Sequence, residues 1–130
     1  MSTIRRFEDL EVWQRARKLT KLVYEVTSAP QFNRDYRLRN QMRDAAVSIL
    51  SNIAEGFSRH TDKEFIQFLY VSRASGAELQ SQSYVALDQE YLSSVTFQTV
   101  YEETDHTSRM ITNLIKYLRS SAQSFRHFDA

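Results

Sequence analysis

Glu103-Thr-Asp-His106 has the spacing of a known ligand set. On a helix, Glu and His three residues apart point at one place. In a bundle, such a pair is half of a dinuclear carboxylate metal site. A whole site needs a second Glu-x-x-His and two more inward Glu residues. The other histidines, His60 and His127, have Phe57 and Ser124 three residues before them, so no second half exists. The apolar seam of this segment passes through Thr104 and Ser108, which turns Glu103 and His106 to its flanks. A solvated surface pair is the expectation, with no metal and no cofactor. Hydrolytic chemistry is no better served. The three histidines lack a nucleophile at a recognisable spacing, and two isolated glycines cannot form a phosphate loop. With no cysteine there is no disulfide, thiolate site or cysteine nucleophile, which fits a reducing cytoplasm. No catalytic residue is expected, and the chain reads as non-enzymatic.

The remaining chemistry is charge. Residues 1–60 carry eleven Lys/Arg against seven acids, a net of +4, while residues 61–130 carry six against nine, a net of −3. A basic half can attract polyanions. Arg15, Arg17, Lys18 and Lys21 cluster in one segment, and Arg34, Arg37, Arg39 and Arg43 in another, with Arg59 and His60 further on. Arg39 and Arg43 share a helix face. Such a surface can neutralise phosphates without reading bases. Arg15, Arg17, Lys18, Arg37, Arg39 and Arg43 are the expected phosphate contacts. The competing expectation is a solvated face whose charges pair internally, Arg39 with Glu78 among them.

These groups need a scaffold, and the periodicity supplies one. One proline and two glycines in 130 residues favour long helices. The first helix opens at Phe7-Glu-Asp-Leu10 with Asp9 as N-cap and carries Val12, Ala16, Leu19, Val23 and Val26 at 4-3-4-3 spacing. Pro30 ends it, and residues 31–35 read as a loop or short turn. The second helix starts near Asp35 and carries Leu38, Met42, Ala45, Ile49 and Asn52, with Gly56 supplying a left-handed stop. Thr61-Asp-Lys-Glu64 is a capping box for a third helix reaching about residue 89. Its seam is Phe65, Leu69, Ser72, Gly76, Leu79, Ser83 and Ala86. Ser93 or Ser94 caps a fourth helix, with Phe97, Tyr101, Thr104, Ser108, Ile111, Ile115 and Leu118 on its seam. Residues 120–130 read as a frayed tail, leaving a single domain over 1–119. Four seams and short loops specify an all-α, up-down-up-down antiparallel four-helix bundle.

The second and third helices would then be antiparallel, with opposed positions summing to about 118. That register pairs Asp44 with Arg73, Arg39 with Glu78 and Glu55 with Lys63. It also sets Ala45 and Ala46 against Ser72 to Ala74, a close approach that compensates Gly76. Ser48 and Asn52 are expected to satisfy themselves on nearby backbone, with a bond across helices as the competing reading. Val47, Leu50, Ala54 and Phe57, with Ile66 and Tyr70, exceed what one core needs, and surplus of this kind marks an interface. A self-interface is the simplest. No apolar signal core follows the N-terminus, and no apolar run reaches membrane-spanning length.

Phe7-Glu-Asp-Leu-Glu-Val-Trp-Gln-Arg-Ala16, Arg43-Asp-Ala-Ala-Val-Ser-Ile49, Ser51-Asn-Ile-Ala-Glu-Gly56, Lys63-Glu-Phe65 and Tyr91-Leu-Ser93 together resemble one family. It is the four-helix-bundle family named for proteins encoded in intervening sequences of bacterial 23S ribosomal RNA. The resemblance implies a cytoplasmic homopentamer with a central channel and no established enzymatic activity. A related branch, similar to accessory proteins of diversity-generating retroelements, implies binding of RNA or DNA and of a reverse transcriptase. Asp44 stands where a basic residue is common in the family, Leu50 where proline is common, and Gln89-Glu90 replaces a small turn.

Overall fold

Pro30 does not only end a helix; it begins one. In the computed structural model, which describes residues 4–120, a single 3-10 turn at Phe7–Asp9 leads into α1, Glu11–Thr27. Then α2, Pro30–Arg34, takes the place of the expected loop or short turn, with Pro30 in its first turn. Proline lacks only an amide that a helix start leaves unpaired, so its fixed φ suits that position. Phe32, on α2, is fully buried and stacks against Tyr91 at 5.0 Å. The three remaining long helices are α3, Tyr36–Phe57, α4, Asp62–Asp88, and α5, Ser94–Ser120. Ser120 therefore closes α5, and the rest of the expected tail lies outside the described residues.

The four long helices form the antiparallel bundle, each packed on two neighbours in the ring α1–α3–α4–α5. Nearly every seam position is buried, as are Ala46 and Ile53 on the widened apolar face of α3, with Val100 and Thr107 added to those expected. Asn52 is half-buried, because Ile53 takes the inward position beside it.

The caps are partly as the sequence indicates. Asp35 accepts the Leu38 amide at 3.1 Å, Thr61 the Glu64 amide at 3.1 Å and Ser93 the Thr96 amide at 3.1 Å. Asp9 does not cap α1. It sits at the end of the 3-10 turn, where its carboxylate accepts the Arg5 and Arg6 amides, and Leu10 holds the N-cap without a side-chain bond.

Gly56 is not a left-handed stop. No glycine among the described residues has positive φ, and α3 winds on to Phe57. A Cβ on Gly56 would lie 2.7 Å from Phe68 Cβ and 2.8 Å from Phe65 Cδ1, so the absent side chain is what lets α3 and α4 meet. Gly76 faces α5 instead of α3, its missing Cβ taken up by Ser108 Oγ at 2.6 Å. The α3–α4 register is also displaced. Ser48 bonds Ser75 at 2.8 Å and Ser72 donates to the Ile49 carbonyl at 2.8 Å, pairs summing to 123 and 121. Ser58 is still αR, and the Arg59 amide bonds the Gly56 carbonyl, so the turn is centred later in the chain than Gly56 suggests. None of the three expected cross-helix ion pairs occurs among the described residues. Arg73 donates to Thr112, Arg39 to Asn33, and Glu55 pairs with Arg59.

Candidate nucleic-acid interface

The cations of α1 part company by position on the helix. Arg15 points to α5, where its Nη1 donates to Glu103 at 3.4 Å and its Nη2 to His106 Nε2 at 3.3 Å. Arginine has no acceptor, so His106 supplies a lone pair there. The Glu-x-x-His pair thus clasps a guanidinium from the neighbouring helix and fixes α1 against α5. Among the described residues, no group of three or more His, Asp or Glu could hold a metal ion. Arg17, Lys18 and Lys21 are exposed along α1. Arg17 lies 5.9 Å from the Trp13 ring centroid.

The start of α3 carries the others. Arg34 and Arg37 are exposed. Arg39 donates to Asn33 Oδ1 at 2.7 Å, to the Asn33 carbonyl at 3.2 Å and to Asn40 Oδ1 at 3.0 Å, and its guanidinium lies 4.8 Å over Tyr36. Arg43 crosses to α1, donating to Thr27 Oγ1 at 2.9 Å and Ser28 Oγ at 3.1 Å, with its guanidinium 4.5 Å over Tyr24. That position also sets a cation at the carboxyl end of α1, where helix carbonyls carry partial negative charge. Of the six expected phosphate contacts, only Arg15 takes part in an ion pair among the described residues.

The expected self-interface divides between two flanks. Val47, Leu50 and Ala54 follow Arg43 at helical spacing along the α1 side of α3, where Thr20 Oγ1 bonds the Ala46 carbonyl. Phe57 closes that row and meets Phe65 edge-on at 6.0 Å. Ile66 and Tyr70 lie on the α5 side of α4. Ile66 is one heptad before Arg73, which reaches Thr112, and Tyr70 carries both Arg73 and Arg119 over its ring, at 5.0 and 5.2 Å. Val47 is 38% exposed, while the other apolar members are half-buried.

A last constellation joins the loops. Tyr91 Oη donates to Asp35 Oδ2 at 3.0 Å while Asp35 Oδ1 caps α3. The bond to the Asp35 carboxylate, then burial, then its charge, raise the Tyr91 phenol above its ordinary value. Sequence reasoning missed this bond and the seating of Arg43 on α1, since each joins positions far apart in the chain. The Tyr36–Arg39 contact, at i,i+3, was visible in principle.

An all-α four-helix bundle with an uncompensated basic corner is the class that these elements define. Residues 8–113 match the 23S rRNA-intervening sequence protein family, and the chain belongs to that family. A crystal structure described as a protein with unknown function from the S23 ribosomal protein family of Bacteroides thetaiotaomicron superposes with a TM-score of 0.75. It shares 16% identity, over 81% of this chain and 98% of its own. At that identity the likeness shows the fold. No curated protein matches the sequence. No helix among the described residues is long and apolar enough to cross a membrane.

Proposed function

We propose that this chain is a non-enzymatic, self-associating bundle that binds the backbone of RNA or DNA through α1 and the start of α3. The observation that carries the reading is the pairing pattern. Arg17, Lys18, Arg37, Arg39 and Arg43 make no ion pair among the described residues, so their charge faces solvent largely uncancelled. Phosphates neutralised by such groups release counterions, and the affinity then falls steeply with salt. Fluorescence anisotropy with labelled RNA and DNA at low and moderate salt tests it. Arg37→Glu with Arg39→Glu should weaken binding about tenfold or more; unchanged affinity would remove these residues from the interface.

Val47, Leu50, Ala54 and Phe57 support self-association through the α1 flank of α3. The pentamer implied by the family resemblance has five times the 15.3 kDa chain mass, about 77 kDa, in light scattering. A protein-only scaffold, including one that holds a reverse transcriptase, is the second reading. It is favoured by the exposed Val71, Val85 and Val95 on α4 and α5. Absence of nucleic-acid binding at low salt would put it first.

A further inference from the structure

We infer that the corner formed by the end of α1 and the start of α3 is a stacking site for single-stranded nucleic acid, with Tyr24 and Tyr36 as its platforms. The inference rests on the nucleic-acid reading above and names the substrate class. Its basis is how Arg39 and Arg43 are held. Both guanidiniums are fixed by neutral oxygens, Asn33 and Asn40 for one, Thr27 and Ser28 for the other. Neutral acceptors position a cation without cancelling it. The carboxyl end of α1 offsets only part of the Arg43 charge. Each guanidinium has five N–H donors. Arg39 Nη2 and Arg43 Nη1 make no hydrogen bond among the described residues and remain for a phosphate.

Each of these cations lies over an aromatic ring that stays open to solvent. Tyr36 is 66% exposed with Arg39 over it, and Tyr24 is 42% exposed with Arg43 over it. A solvent-facing aromatic beside a preorganised cation is the pairing by which proteins hold unpaired bases: the ring takes a base, the cation the adjoining phosphate. Bases in a duplex are already stacked on one another and offer no free face to a side-chain ring. Charge alone therefore serves both forms of nucleic acid, while the rings serve only the single strand. No carboxylate forms an ion pair with Arg39 or Arg43 among the described residues. Asp35 keeps its charge but turns its two oxygens to the Leu38 amide and the Tyr91 hydroxyl, and Asp44 lines the opposite flank of α3 with Gln41, Glu78 and Gln82. Glu25 is exposed on α1 and makes no ion pair among the described residues.

The test uses the full chain, a labelled oligouridylate strand and a labelled blunt-ended RNA duplex of two annealed strands at low salt. The wild type should bind the single strand more tightly than the duplex. Tyr24→Leu and Tyr36→Leu should each weaken single-strand binding about fivefold or more, and duplex binding less than twofold. Tyr36 is exposed enough for its replacement to leave folding intact, which circular dichroism verifies, so that variant decides if Tyr24→Leu does not fold. Equal or tighter binding of the duplex, or Tyr36→Leu binding the single strand like wild type, would overturn the inference and leave backbone binding standing. Neither probe binding would overturn both.

Discussion

At the residue scale, the two glycines give opposite predictions. In Gly56→Ala, the new Cβ meets the Phe68 Cβ and the Phe65 ring, neither of which can swing away. Overpacking of this kind costs about 1–3 kcal/mol, and helix propensity returns at most about 1 kcal/mol. The melting temperature should fall by several degrees. In Gly76→Ala, the obstruction is the Ser108 hydroxyl, the end of a rotatable side chain. That variant should melt at or above the wild-type temperature. If the two melt alike, the difference in packing is not what separates them. Tyr91 adds a pH dependence. Its phenol is raised by its bond to Asp35, so the bond's stabilisation is fully present below the ordinary tyrosine value and is lost as pH rises through the raised one. Chemical denaturation between pH 8 and pH 11 should show a loss that Tyr91→Phe reduces. Residue identities were legible where local spacing decided them, as with the caps Thr61 and Ser93. Gly56 was misread because a glycine near a helix end is compatible with two causes. Only the position of Phe65 and Phe68 across the interface separates them.

The helices themselves were legible because seams at 4-3-4-3 spacing survive without knowledge of partners. The relative placement of α3 and α4 was not. A shift of about one turn keeps small residues facing small residues, so the pattern tolerates both registers while the charged pairs do not. Between α4 and α5 the chain uses a Schellman turn. The Tyr91 amide bonds the Ala86 carbonyl at 2.9 Å and the Glu90 amide bonds the Leu87 carbonyl at 2.9 Å. Glu90 holds the left-handed position with φ of 61°. A side chain there costs about 1–2 kcal/mol relative to the right-handed form, and glycine avoids it. Glu90→Gly should therefore stabilise the protein by about 1 kcal/mol, net of glycine's greater freedom when unfolded. Calorimetry that finds it destabilised would mean the Glu90 side chain supports the turn.

The whole molecule separates its charge without separating its fold. The basic half is α1, α2 and α3, the acidic half α4 and α5, and the two are packed into one ring. Net charge is +1, so long-range attraction to a polyanion is weak and contact must begin at the basic side. Under the proposed function, association with RNA or DNA should therefore slow with added salt, measured by stopped-flow anisotropy, and salt-independent rates would point to apolar docking. The sequence showed this asymmetry in its sums. It did not show that Arg15 is withdrawn to Glu103 and His106, or that the apolar surplus lies on two flanks, because both depend on which helices are neighbours.

The bond between Tyr91 and Asp35 joins positions 56 residues apart, across the whole of α4. Closing so long a loop is entropically expensive until the intervening helix pair has formed. The α3–α4 hairpin needs only the short reversal after Ser58, so its contacts can form first. The bond from Tyr91 to Asp35 then belongs to the last stage of the route to the native state. Tyr91→Phe should leave the folding limb of a chevron plot almost unchanged and raise only the unfolding limb, speeding unfolding. The hydroxyl acts as a latch on the finished bundle: it sets how long the native state lasts and not how quickly it is reached.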